Sequence, residues 1–94
     1  MPPMNNRVMR PRRRKPDAPV GVVFTVETVL AWQNSSDGGS PLLGFRIYAD
    51  GELIDTIATP ATSWSGDISS GTAYTVAAVN AVGEGPKSRS VRAT

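Results

Sequence analysis

The sequence predicts an all-β fold, a seven-stranded antiparallel β-sandwich preceded by an extended basic arm. Three observations carry that prediction. From Val20 onward apolar residues alternate with polar ones at period two, the spacing of half-buried strands. Gly, Pro, Asn, Asp and Ser interrupt those runs at roughly eight- to twelve-residue intervals, which is turn chemistry at all-β spacing. Charge also breaks sharply at Pro16/Asp17. Residues 1–16 carry Arg7, Arg10, Arg12, Arg13, Arg14 and Lys15 and no acid, whereas residues 17–94 carry four cations against eight acids. The net charge of +2 is thus +6 on the arm and −4 on the body.

Two units follow: an arm over 1–16 and a domain over 17–94. Five of the eight prolines lie between Met1 and Pro19. Proline denies this stretch a regular helix, and repulsion along Arg12-Arg13-Arg14-Lys15 extends it. Its few larger apolar residues, Met1, Met4, Val8 and Met9, bury too little area to offset the entropy of ordering, so in isolation it is expected to be disordered. Three uses compete for it: a solvated leader, an anchor whose arginine forks meet carboxylates on a protein surface, or a contact to nucleic-acid phosphates. The lack of an aromatic residue weakens the single-strand version of the last.

The body reads strand by strand. Val20–Val23 follows Pro19 as the first, and Thr28–Trp32 is the second, with Leu30 and Trp32 on one face. A dense loop, Asn34–Pro41, precedes Leu43–Tyr48, where Leu43, Phe45 and Ile47 share one face and Arg46 and Tyr48 the other. Asp50-Gly51 then marks a two-residue hairpin, because a type I′ turn needs positive φ at both central positions. Leu53–Ile57 is the return strand, a short strand surrounds Thr62–Trp64, and Tyr74–Val79 and Ser88–Ala93 complete the set. A domain of this length buries roughly 60–65% of its unfolded surface, enough for one thin core and too little for a deep enzyme cleft.

These segments resemble the fibronectin type III family, an immunoglobulin-like sandwich. Trp32 with Gly39-Ser40-Pro41-Leu42-Leu43-Gly44-Phe45-Arg46-Ile47-Tyr48 is similar to that family's second-strand tryptophan, loop and third strand. Ile68-Ser69-Ser70-Gly71-Thr72-Ala73-Tyr74 resembles its Leu-x-Pro-Gly-Thr-x-Tyr corner, with Ile68 and Ser70 in place of leucine and proline. Val79-Asn80-Ala81-Val82-Gly83-Glu84-Gly85-Pro86-Lys87-Ser88 is similar to its Ala-Val-Asn-x-x-Gly-x-Gly-Pro-x-Ser loop. The resemblance spans about residues 17–94. It implies a core built on Trp32, Phe45, Ile47, Ile68 and Tyr74, with the Tyr74 hydroxyl bonded back near Ile68–Gly71. Two departures stand out. The sixth strand is about two residues shorter than usual, and Asn80–Pro86 lacks the Arg-Gly-Asp of the integrin-binding member, so cell adhesion is not carried over.

Catalysis is not expected. The chain has no histidine and no cysteine, which removes the commonest general base, metal ligand and thiol nucleophile. Asp50, Glu52 and Asp55 read as a solvated hairpin edge, and Asp37-Gly38-Gly39-Ser40 has too few oxygen ligands for a calcium loop. Gly83-Glu84-Gly85 has no following helix and is no phosphate loop. No cofactor and no metal are therefore expected. Trp32 reads as core, Trp64 as core rather than an exposed platform, and Arg46 with Tyr48 as a solvated sheet face or a binding surface. Met1-Pro2-Pro3-Met4 runs into arginines without an apolar h-region, so neither a secretory signal nor membrane insertion is expected.

A fibronectin-like domain behind a short arginine-rich leader also resembles the accessory proteins of tailed phages. The resemblance implies a virion decoration or minor capsid protein. The arm would lie on the major capsid protein or another virion protein, and the sandwich would project, with weak adhesion to host-surface glycans as one use. Location on the capsid surface is the leading expectation, with a cytoplasmic protein as its alternative. A nucleic-acid-associated protein and a spacer or carbohydrate-adhesion module of a secreted or tail protein are the competing functions.

Overall fold

The computed structural model describes residues 13–26 and 29–93; Arg7, Arg10 and Arg12 lie outside it. Seven strands form among the described residues: β1 (Val20–Val26), β2 (Val29–Gln33), β3 (Leu42–Ala49), β4 (Glu52–Ala58), β5 (Ser63–Ser65), β6 (Ala73–Asn80) and β7 (Val91–Arg92). They make two antiparallel sheets, one ordered β1-β2-β5 and the other β4-β3-β6-β7. No helix in the described residues is long and apolar enough to cross a membrane.

Alternation along the strands gives each sheet an apolar face, and the two faces share one core. Leu30 and Trp32 come from the three-stranded sheet, and Phe45, Ile47, Tyr74, Val76 and Ala78 from the four-stranded one. Aromatic pairs lock the sheets together. Trp32 meets Phe45 at 5.2 Å between ring centroids, and Phe24 meets Tyr74 edge-on at 5.8 Å. Each such pair adds about 0.5–1.5 kcal/mol beyond its area burial. The Trp32 indole N–H is buried without a partner among the described residues.

The turn chemistry appears in the backbone. Asp50 and Gly51 both take positive φ, 49° and 88°, and join β3 to β4. The Ser69 N–H donates to the Tyr74 hydroxyl at 2.9 Å, closing the corner before β6. Gly44 is required by close approach, since a Cβ there would collide with the Ile57 carbonyl oxygen on β4.

Three expectations are corrected. Leu43 does not share the inner face with Phe45 and Ile47; it is 58% exposed. The β3–β6 register shifts between Leu42 and Gly44, and that irregularity reverses the alternation, so that Leu42 packs on the core instead. Ile68 sits at the margin of the core, half-buried, rather than within it. The last strand is only Val91–Arg92, because Ser88 replaces regular pairing: its Oγ accepts from the Val76 N–H at 3.0 Å, and its own N–H donates to the Val76 carbonyl at 2.8 Å.

Phe45 is fully buried and touches both sheets. Phe45→Ala is therefore expected to cost about 3–5 kcal/mol in urea unfolding. A loss below about 1 kcal/mol, the level of an ordinary surface change, would contradict this core.

Candidate functional site

Among the described residues, those singled out for the arm and for the outer sheet face fall into two clusters, one at the Asn80 end of the fold and one along the outer face of β3. The first is the root of the arm. The Arg14 N–H donates to the Gly38 carbonyl at 2.9 Å, and the Asp17 N–H to the Ser36 carbonyl at 3.0 Å. Residues 14–17 thus run beside the loop between β2 and β3, and Pro16 is fully buried. Asn80, at the end of β6, completes the seam. Its Nδ2 donates to the Arg14 carbonyl at 2.7 Å and to the Asp37 carbonyl at 2.8 Å. Its Oδ1 accepts from Val82 N at 2.9 Å and Gly83 N at 3.2 Å. Two glycines admit the arm: a Cβ at Gly38 would collide with the Arg14 carbonyl oxygen, and one at Gly85 with that of Pro16.

The packed seam thus reaches back past the charge break at Pro16/Asp17 as far as Arg14. It divides the arm cations into kinds. Arg14 is turned onto its own body, with Nη1 2.9 Å from Asp17 Oδ1 and Nη2 3.3 Å from Ser36 Oγ. Both partners of that ion pair are more than half exposed, so it orients the side chain more than it stabilises the fold. Lys15 lays its aliphatic stem over Gly83. Arg13 is exposed at the edge of the described chain.

The second cluster lies on the outer face of the four-stranded sheet. Arg46 and Tyr48 project from β3, opposite Phe45 and Ile47. The turn after β6 folds back through a bridge between Val79 and Glu84, which sets the Glu84 carboxylate over both. Arg46 Nη1 donates to Glu84 Oε1 at 2.7 Å, and the Tyr48 hydroxyl donates to Oε2 at 2.6 Å. Lys87 Nζ stands 4.3 Å from the centre of the Tyr48 ring, a cation–π contact. Arg46 and Tyr48 therefore have a partner within the chain.

Electrostatics follow from this geometry. The hydrogen bond and charge of Glu84 hold Arg46 still more firmly protonated. Burial, then the bond to Glu84, raises the Tyr48 hydroxyl above the ordinary phenol range. Partial burial works to raise Glu84, but bonds from Tyr48 and Arg46, with the charges of Arg46 and Lys87, leave its carboxyl below the usual range.

A mixed cleft opens at the other end, lined by Asp50, Glu52, Ile54, Trp64, Asp67 and Tyr74 among others. Trp64 is half-buried there, with its Nε1 donating to Asp55 Oδ2 at 2.7 Å and its ring 6.4 Å from that of Tyr74. The Asp50 Oδ1 accepts from the Ala73 N–H at 3.0 Å. Among the described residues, no group of three or more Asp, Glu, His or Cys side chains is placed to hold a metal ion.

Sequence reasoning missed Asn80 and Glu84. Asn80 left a signal, a polar side chain ending an alternating apolar strand three residues before a glycine. Glu84 left none, because its partners are 36 and 38 residues away.

Glu84 supports a pH test. Its folded pKa is depressed, so its contribution is present above the unfolded carboxylate range and is lost as pH falls through the folded value. Glu84→Gln is expected to cost about 1 kcal/mol at pH 7 in denaturant unfolding, with the gap to the unsubstituted chain closing in acid. A gap that stays constant with pH would contradict the assignment.

No family model matches the chain, and no curated protein matches it. Among solved structures, one described as "Myokine structure" is similar, with a TM-score of 0.59 and 26% identity over 82% of this chain and 94% of that one. The likeness agrees with the all-β, two-sheet architecture described above.

Proposed function

We propose that the chain is a non-catalytic fibronectin type III module carried on a virion by its basic arm, as a decoration or minor capsid protein. The strand order supports the fibronectin type III reading: β4 pairs with β3, whereas in the constant-type immunoglobulin sandwich the fourth strand joins the sheet of the first, second and fifth. The Ser69–Tyr74 bond supports it too. Fold alone does not supply a function.

The observation that carries the proposal is the seam at Asn80. It bonds the backbone of the cationic run at Arg14, beside the buried Pro16, so the root of the arm is tied to the domain. Arginine forks there suit carboxylates on a large partner surface, and the body with its charge of −4 stays clear of a polyanion. The virion assignment extends the resemblance to phage accessory proteins, and the capsid surface is its location.

The test is gradient sedimentation of native particles, comparing the chain with a variant carrying Arg7→Ser, Arg10→Ser and Arg12→Ser. These substitutions leave Arg14 and Pro16, and hence the seam, intact. Recovery of the chain with the particle and loss of the variant are expected. Recovery of the chain as a free small protein would overturn the proposal. So would a peak dispersed by nuclease, which would transfer the arm to nucleic acid.

A further inference from the structure

We infer that the cleft at the end away from the arm receives the basic arm of a second copy, so that copies associate head to tail. The lining of the cleft combines apolar and aromatic side chains, Ile54, Trp64 and Tyr74, with the acids Asp50, Glu52 and Asp67. The two ion pairs among the described residues lie elsewhere, so within the described residues no ion pair engages these three carboxylates. Arg92, at the same end, is turned to the Gly71 carbonyl, with Nη1 2.5 Å from it.

The occupant follows from charge and direction. The arm supplies guanidinium groups at Arg7, Arg10, Arg12 and Arg13, which pair with carboxylates and stack on aromatic rings such as Trp64. Cleft and arm root lie at opposite ends of the domain. β3 pairs Leu42 with Asn80 at one end and Ala49 with Tyr74 at the other. Traced back from Val20, which faces Gln33, the chain passes Ser36 at Asp17 and Gly38 at Arg14, heading away from its own cleft. Twelve extended residues span at most about 40 Å, enough to reach a neighbour. A contact of arm to cleft is heterologous and builds a row or a ring. On a virion surface a copy whose arm sits in a neighbour's cleft would be held through that neighbour, and only a copy with its arm unseated would be anchored to the capsid directly.

Analytical ultracentrifugation of the full chain, with two full-length variants, tests this. The arm variant carries Arg7→Ser, Arg10→Ser and Arg12→Ser; the cleft variant carries Glu52→Lys and Asp67→Lys at two exposed positions. The unsubstituted chain is expected to gain at least about twofold in average mass between ~10 and ~300 μM at low salt, and to return to monomer near 0.5 M salt (about one Debye length of 4 Å). Each variant alone stays monomeric, and an equimolar mixture forms a dimer that grows no further, from one intact arm and one intact cleft. A monomeric unsubstituted chain overturns the inference and includes the case of an arm folded onto its own cleft. Association of the cleft variant alone, or a mixture that stays monomeric, overturns it as well. Recovery of the cleft variant with native particles reports separately on the capsid anchor, so the two proposals fail independently.

Discussion

Asn80 sits 2% exposed at the end of β6, with its amide donating twice and its carbonyl oxygen accepting twice. A buried amide left unpaired costs roughly 1–3 kcal/mol, so each of its partners is fixed by the need to satisfy it. Those partners belong to three segments far apart in sequence: the arm at Arg14, the loop between β2 and β3 at Asp37, and the turn after β6 at Val82 and Gly83. The position of the arm, the shape of that loop and the return of the chain toward Glu84 all depend on this one side chain.

The apolar core and this polar hub divide the work. Trp32, Phe45 and Tyr74 hold the two sheets face to face, with no say in where the N-terminal chain goes. The hub, aided by Gly38 and Gly85, seals the open end of the sheets with the backbone of Arg14 to Pro16. Because the turn after β6 is held, Glu84 is held too, and it neutralises the outward Arg46 while Tyr48 donates to it. The domain thus presents Arg13, Arg14 and Lys15 at one end and a cleft lined by Asp50, Glu52 and Asp67 at the other. This polarity gives the proposed anchor and the proposed row of copies a common physical origin.

Local pattern made much of the body legible. Alternation marked β3 and β6, Asp50-Gly51 marked the hairpin between β3 and β4, and the segment before Tyr74 marked the corner that its hydroxyl closes. Leu43 escaped because alternation assumes an unbroken register, and the shift between Leu42 and Gly44 reverses it. The hub and the Glu84 cluster escaped for another reason. Their bonds join residues 66, 43, 38 and 36 positions apart, and no periodicity within a strand encodes such meetings. Charge alone placed the boundary at Pro16/Asp17, and it is the backbone carbonyls, invisible to composition, that carry the seam back to Arg14.

Amide hydrogen exchange of Arg14 and Asp17 in the full chain tests the dependence on Asn80 most directly. Both amides donate to carbonyls across the seam. Protection of these two within about tenfold of the central β6 amides is expected, falling sharply in Asn80→Ala while β3 stays protected. Exchange of Arg14 and Asp17 at the rate of an unstructured chain in the unsubstituted protein would contradict the account.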